Sequence, residues 1–143
     1  MRSFTRESGA RVTPAGLPSE QYPEKELTEK IIGCAIRVHR ELGPGYLEGI
    51  YENALSHELA KQGLRFERQR VVKVFYDGFE VGEHRIDMLV EGRVVLELKS
   101  VEVLSDKHVA QTISTLKAIG ARVALLINFD ESKVVDGIRR VVL

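Results

Sequence analysis

Apolar residues recur at helical spacing from Glu24 onward, at Leu27, Ile31, Cys34, Ala35, Val38 and Leu42, and predict an amphipathic helix. Gly43-Pro44-Gly45 stops it, because Gly suits a helix C-terminus and Pro cannot continue one. A second helix is predicted from about Leu47 to Gln62 on Leu47, Ile50, Tyr51, Ala54, Leu55 and Leu59, with Gly63 as its terminator. The period then falls from helical to alternating. Val71–Tyr76, Asp77-Gly78 and Phe79–Val81 form a strand–turn–strand signature, since Asp-Gly supplies the two positive φ angles of a type I′ turn. The strand continues through His84–Val90, Glu91-Gly92 turns the chain, and Val94–Lys99 makes a third strand. A third helix follows from Asp106 to Ile119 with Ser105 as N-cap. The apolar run Arg122–Ile127 reads as a strand covered on both faces and parallel to a neighbour. Val134–Leu143 fits either a short helix or an edge strand, and the strand is the preferred reading. The sketch is αα-βββ-α-β-β, a mixed α/β domain over 25–143. Residues 1–24 hold Gly, Pro, Ser and Thr without apolar period, and read as a flexible N-terminal arm; Arg2, Arg6 and Arg11 are candidate polyanion contacts, with a solvated tail the preferred reading.

Composition narrows the class. The chain has 143 residues, enough for one domain with its own core. One cysteine excludes a disulfide scaffold, and Cys34 lies on the buried stripe of the first helix, where it reads as a small core residue. No apolar run is long enough to span a bilayer and the N-terminus lacks a secretory h-region, so the expected location is cytoplasmic, with no membrane partner. Its 21 basic and 21 acidic residues cancel, which argues against a protein that coats nucleic acid by bulk electrostatics. A nucleic-acid enzyme remains compatible with that balance if its basic residues are local.

Three charges stand inside strands, where apolar and β-branched residues are preferred. Glu97 and Lys99 share one strand face, opposite Val94, Leu96 and Leu98. A two-residue turn at Glu91-Gly92 would place Asp87 opposite Leu96 and on the other face. A three-residue loop, built as a type I turn with Gly92 left-handed at a bulge, joins Asp87 to Glu97 and Lys99. The odd loop is the expectation. Two carboxylates on one face repel unless a proton or cation separates them, and oxygen-rich sites suit Mg²⁺ or Mn²⁺. With Lys99 beside them the set points to metal-assisted phosphodiester hydrolysis. A solvated strand face with a Glu97/Lys99 charge pair fits the same residues. A carboxylate-pair glycosidase would not need Lys99.

The pattern Asp87…Glu97-Leu98-Lys99, at a β-hairpin and ahead of a helix, resembles the PD-(D/E)xK nuclease superfamily. Gly45-x-x-Glu48-x-x-Tyr51 resembles the signature of the GxxExxY family, a branch of small proteins within it, and Ile127-Asn128-Phe129 matches its trailing strand end. The likeness runs from about Leu27 to Leu143. It implies a restriction-endonuclease-like fold, an αβββαβ core whose mixed sheet is flanked by helices, with the site at the edge of the central sheet. It further implies Asp87, Glu97, the Leu98 carbonyl and Glu48 as ligands of Mg²⁺ or Mn²⁺, Lys99 as the cation facing water and phosphate, and Gln111 as a residue that steers substrate or the lysine. Ile86 stands where the motif is named for proline, and Thr115 where several branches have tyrosine four residues after the glutamine. The implied partner is DNA or RNA. A small domain with no recognition segment also points to a protein partner or a homo-oligomer, and the other functional class is a catalytically silent module that binds nucleic acid or protein.

Tyr51 reads as packing, and Glu48 equally as a first-turn acid favoured by the helix dipole. His39, His57, His84 and His108 show no ligand spacing. Three residues from Asp87 on a strand, His84 is expected on the opposite face. Arg65, Arg68, Arg70 and Lys73 are a candidate phosphate strip, or a solvated strand end.

Overall fold

The computed structural model describes residues 4–5, 9–15 and 22–143. Its strands are β1 (Phe4–Thr5), β2 (Arg11–Pro14), β3 (Phe66–Tyr76), β4 (Phe79–Val90), β5 (Val94–Lys99), β6 (Val123–Asn128) and β7 (Ile138–Val142). The helices are α1 (Lys25–Leu42), α2 (Glu48–Lys61) and α3 (Asp106–Ile119), with a 3₁₀ turn at Val134–Gly137. One seven-stranded sheet runs in the order β1-β2-β7-β6-β5-β4-β3. All neighbours are antiparallel except β5 and β6, which α3 joins as a parallel crossover. The αβββαβ core expected from the sequence is therefore present.

Each face of the sheet buries one apolar layer. Leu27, Ile31, Leu55 and Leu59 of α1 and α2 pack with Met88, Val94, Leu96, Leu98 and Ile127. On the other face Val109, Ile113 and Leu116 of α3 pack with Ile86, Leu89, Val95 and Leu126. Ser105 caps α3: its hydroxyl accepts from the His108 N–H, and the His108 ring accepts from the Ser105 N–H. Cys34 is buried, and burial pushes its thiol up.

Two expectations change at the other end of the sheet. The final strand is internal, because β2 pairs along β7 from Arg11↔Val142 to Pro14↔Arg139. Arg11–Pro14 thus belongs to the sheet, and the Arg11 guanidinium lies 4.9 Å from the centre of the Tyr22 ring. The arm expected over 1–24 is replaced there by a strand whose Val12 and Thr13 are buried. Arg2 and Arg6 lie outside the described residues.

The hairpins fix the register at the site. Asp77 (φ 52°) and Gly78 (φ 80°) make the predicted two-residue turn, with Tyr76 opposite Phe79. The loop between β4 and β5 has the predicted odd length, with Val90 opposite Val94. Its turn type differs: Glu91 (φ 52°) and Gly92 (φ 66°) are both left-handed, where a type I turn would leave only Gly92 so. The start of β3 holds Glu91 in this state. The Arg65 N–H donates to the Glu91 carboxylate (2.5 Å), and the Glu91 N–H donates to the Arg65 carbonyl (2.8 Å).

Candidate active site

Asp87 occupies a break in two ladders. Pairing of β4 with β5 ends at Met88↔Leu96, and continuing that register would set Asp87 opposite Glu97. Pairing of β3 with β4 skips Gln69 and Asp87, between Arg68↔Met88 and Arg70↔Ile86. Gln69 has φ 53°, a left-handed state that non-glycine residues rarely adopt inside a strand. The break shifts the side-chain alternation of β4. Ile86 and Leu89, three residues apart, both pack under α3, whereas Met88 and Val90 pack under α1 and α2.

The freed carboxylate of Asp87 takes over a ladder bond: Oδ2 accepts from the Leu98 N–H at 2.7 Å. Asp87 is thereby tied to the same strand as Glu97 and Lys99. Burial raises the Asp87 carboxyl above its usual range; the Leu98 N–H and Lys99 pull it down, while Glu52 and Glu48 push it further up. Glu97 is buried, and burial followed by repulsion from Asp87 pushes its carboxyl up to about 8, against the opposing pull of Lys99 and Thr115. Its Oε1 is buried without a hydrogen-bond partner. A fully solvated strand face does not hold at Glu97, which is buried beside Thr115 of α3.

His84 corrects the alternation argument. Its Nε2 lies 3.8 Å from Glu97 Oε1 and 2.7 Å from Thr115 Oγ1. The shift at Gln69 and Asp87 is the reason: strict alternation, which would have turned His84 away, fails between them. The Thr115 hydroxyl also lies 3.0 Å from the Gln111 carbonyl, so it stands among His84, Gln111 and Glu97. The residue that departs from the family pattern is thus part of the site, and its spacing four after Gln111 was the signal available for it. Gln111 itself is exposed on α3 and lines a groove with His84 and Val74.

Glu48 stands exposed at the first residue of α2. Its charge reaches Asp87, yet among the described residues no three His, Cys, Asp or Glu side chains are grouped to hold a metal ion. One helical turn later is an acid the sequence reading passed over. Glu52 is buried, accepts from Gln69 Nε2 (2.6 Å) and Arg68 Nε (2.8 Å), and so clamps the left-handed residue opposite Asp87. Tyr51 of the Gly45-x-x-Glu48-x-x-Tyr51 segment is buried in the core. The Tyr51 hydroxyl donates to the Gly43 carbonyl (2.5 Å) and accepts from the Tyr46 N–H, and its ring stacks on Phe129 at 4.4 Å. Asn128 is buried at the end of β6 opposite Lys99, and its amide bonds both the N–H and the carbonyl of Val101. Gly137 permits this packing, since a Cβ there would lie 2.4 Å from the Asn128 carbonyl oxygen.

Each cation of the candidate phosphate strip has a carboxylate within ion-pair distance. Arg65 pairs with Glu91, Arg68 with Glu52, Arg70 with Glu67 and Lys73 with Glu80. No helix among the described residues is long and apolar enough to cross a membrane.

The PD-(D/E)XK nuclease superfamily matches residues 25–141. No curated protein and no solved structure matches the chain. The fold agrees with that match, and the chain belongs to the PD-(D/E)XK nuclease superfamily.

Proposed function

We propose that this protein hydrolyses phosphodiester bonds of DNA or RNA with Mg²⁺ or Mn²⁺, as a member of the GxxExxY branch. The observation that carries the reading is the pair of half-buried Asp87 and buried Glu97 at the fork between β4 and β5. Both carboxyls are raised and Glu97 Oε1 is orphaned, a state that a bound cation relieves. The donors fit a hard cation of this kind. Mg²⁺ is held by one or two carboxylates while keeping waters and contacting substrate phosphate, so Asp87, Glu97 and the Leu98 carbonyl suffice, with Glu48 acting on Asp87 through its charge. A divalent cation there supplies polarisation of a phosphoryl oxygen and acidification of water. The chain's own residues do the rest. Lys99 brings positive charge to the pair and faces the charge that grows on phosphate. His84 and Thr115 limit the positions open to Glu97. The Leu98 N–H fixes one oxygen of Asp87 and leaves the other free.

The test is cleavage of single- and double-stranded DNA and RNA in Mn²⁺, with Asp87→Ala and Lys99→Ala as controls. Each substitution is expected to lower turnover by at least about 100-fold, the scale of one transition-state contact. Activity surviving both substitutions would sink the mechanism. Stable binding of a nucleic acid or a protein, with no cleavage and no metal-dependent rise in Tm, would instead identify the silent module.

A further inference from the structure

We infer that the groove between the last turn of α1 and the loop after β6 is a second phosphate site, which holds a backbone phosphodiester of the nucleic acid near the one cleaved. It rests on the reading of the β4–β5 fork as a nucleic-acid site. The groove has a volume of about 320 Å³, the size of a small-ligand site. Ile36, His39 and Arg40 line it from one face of α1, and Ser132, Lys133 and Val134 line it from the other side.

The charged and ring groups of this groove lack partners. Arg40 and Lys133 are exposed and make no ion pair or hydrogen bond among the described residues. His39 is 7 % exposed, and its Nε2 is buried with no partner. Glu41, Asp130, Glu131 and Asp136 are close in the chain, and none of them lines the groove. Glu131 is turned against Gly137, its Cγ 2.7 Å from where a Cβ there would stand. Arg40 also borders the α1–α2 groove that holds Glu41 and Glu58, and Glu58 there is taken by Arg37 and Lys61. The helix dipole accounts for a cation in the last turn of α1. It does not account for Lys133, which comes from the facing loop, or for a buried ring nitrogen without a partner. Two cations, a hydroxyl and an imidazole around one groove match the oxygens of a phosphodiester.

Continuity with the Asp87/Glu97/Lys99 end of the sheet selects a nucleic-acid backbone as the occupant. The Phe129 N–H donates to the Lys99 carbonyl at 2.9 Å, and four residues later, a span of at most about 14 Å, the chain reaches Lys133. The Phe129 ring stacks on Tyr51, whose hydroxyl donates to the Gly43 carbonyl, and the Gly43 N–H donates to the His39 carbonyl at 2.7 Å. A nucleic-acid strand that leaves Lys99 across Phe129 therefore meets both walls of the groove.

The test reads binding by the full chain in chelator. Fluorescence anisotropy of a single-stranded oligonucleotide over a salt series is expected to give a slope shallower by about 1.4 for Arg40→Gln/Lys133→Gln than for the parent, at about 0.7 per phosphate contact. Lys25→Gln/Lys30→Gln, toward the other end of α1, makes the same change in net charge and is expected to keep the parent slope. The His39 ring resonances should shift when the oligonucleotide is added, and stay in place with a methylphosphonate strand of the same sequence, whose linkages carry no charge. In Mn²⁺, Arg40→Gln/Lys133→Gln should raise KM about tenfold with kcat unchanged, as the loss of two exposed contacts made equally in ground and transition states. A parent that binds no oligonucleotide, a slope that Arg40→Gln/Lys133→Gln leaves unchanged, an equal loss in the Lys25/Lys30 control, or a His39 shift produced only by inorganic phosphate would each overturn the inference. Absence of cleavage, with the slope change and the His39 shift intact, would overturn the hydrolytic reading alone.

Discussion

Glu97 is the residue at which the environment works hardest against the charge. Its carboxyl is raised from 4.5 to about 8, chiefly by burial, so the folded chain keeps a proton that the unfolded chain has released. Between those values the folded state binds more protons, and stability is lost as pH rises through the window. For the metal-free protein this comes to roughly 3 kcal/mol between about pH 4.5 and pH 7. Glu97→Gln removes the titration and keeps the shape. Its Tm in chelator should exceed that of the parent near pH 8 and meet it near pH 4, and Mg²⁺ should raise the parent only. Parallel Tm curves for the two proteins would show that Glu97 is not held in this state. The same residue explains how far the sequence could be read. Its face, its neighbour Lys99 and its partner Asp87 all followed from alternation and from an odd loop at Gly92. His84 and Thr115 did not, because alternation was carried past a point where the backbone breaks it.

That break belongs to the strand as an element. Gln69 holds φ 53° without the glycine that normally permits it, so something else must hold the state. Glu52 does so from α2, through Gln69 and Arg68. Glu52→Ala is expected to cost about 1–3 kcal/mol, the scale of a broken partly buried network. It should also speed hydrogen exchange at the Leu98 amide, whose partner is Asp87. Adding Gln69→Gly should restore Leu98 protection without restoring the ion pair, because glycine adopts the left-handed state unaided. Protection that stays lost in the double variant would separate the clamp from the position of Asp87. Helix limits were legible here to within one or two residues, since apolar period and Gly or Ser caps are local signals. The clamp was not, because an acid on a helix and a glutamine in a strand carry no mark of their contact. Arg11–Pro14 was missed for a related reason: four residues ending in proline give too short a period, and only β7 makes them a strand.

At the scale of the whole molecule the balance of 21 basic against 21 acidic residues becomes a spatial statement. Each member of the basic strip along β3 has a carboxylate partner, so the edge that looked suited to phosphate carries little free charge. Nucleic-acid affinity should then depend weakly on salt. The logarithm of the binding constant falls by about 0.7–0.9 per neutralised phosphate for each tenfold rise in salt. With these four cations paired, the Asp87→Ala protein on a single-stranded oligonucleotide should show a slope no steeper than about −3. Removing the exposed partners by Glu67→Gln with Glu80→Gln frees Arg70 and Lys73. Fluorescence anisotropy across a salt series should then show tighter binding and a slope steeper by about 1.5. An unchanged slope would mean that the strand edge is not on the path of the nucleic acid. A steep slope in the parent would mean that cations elsewhere carry the contact, and that the pairing along β3 does not set the affinity.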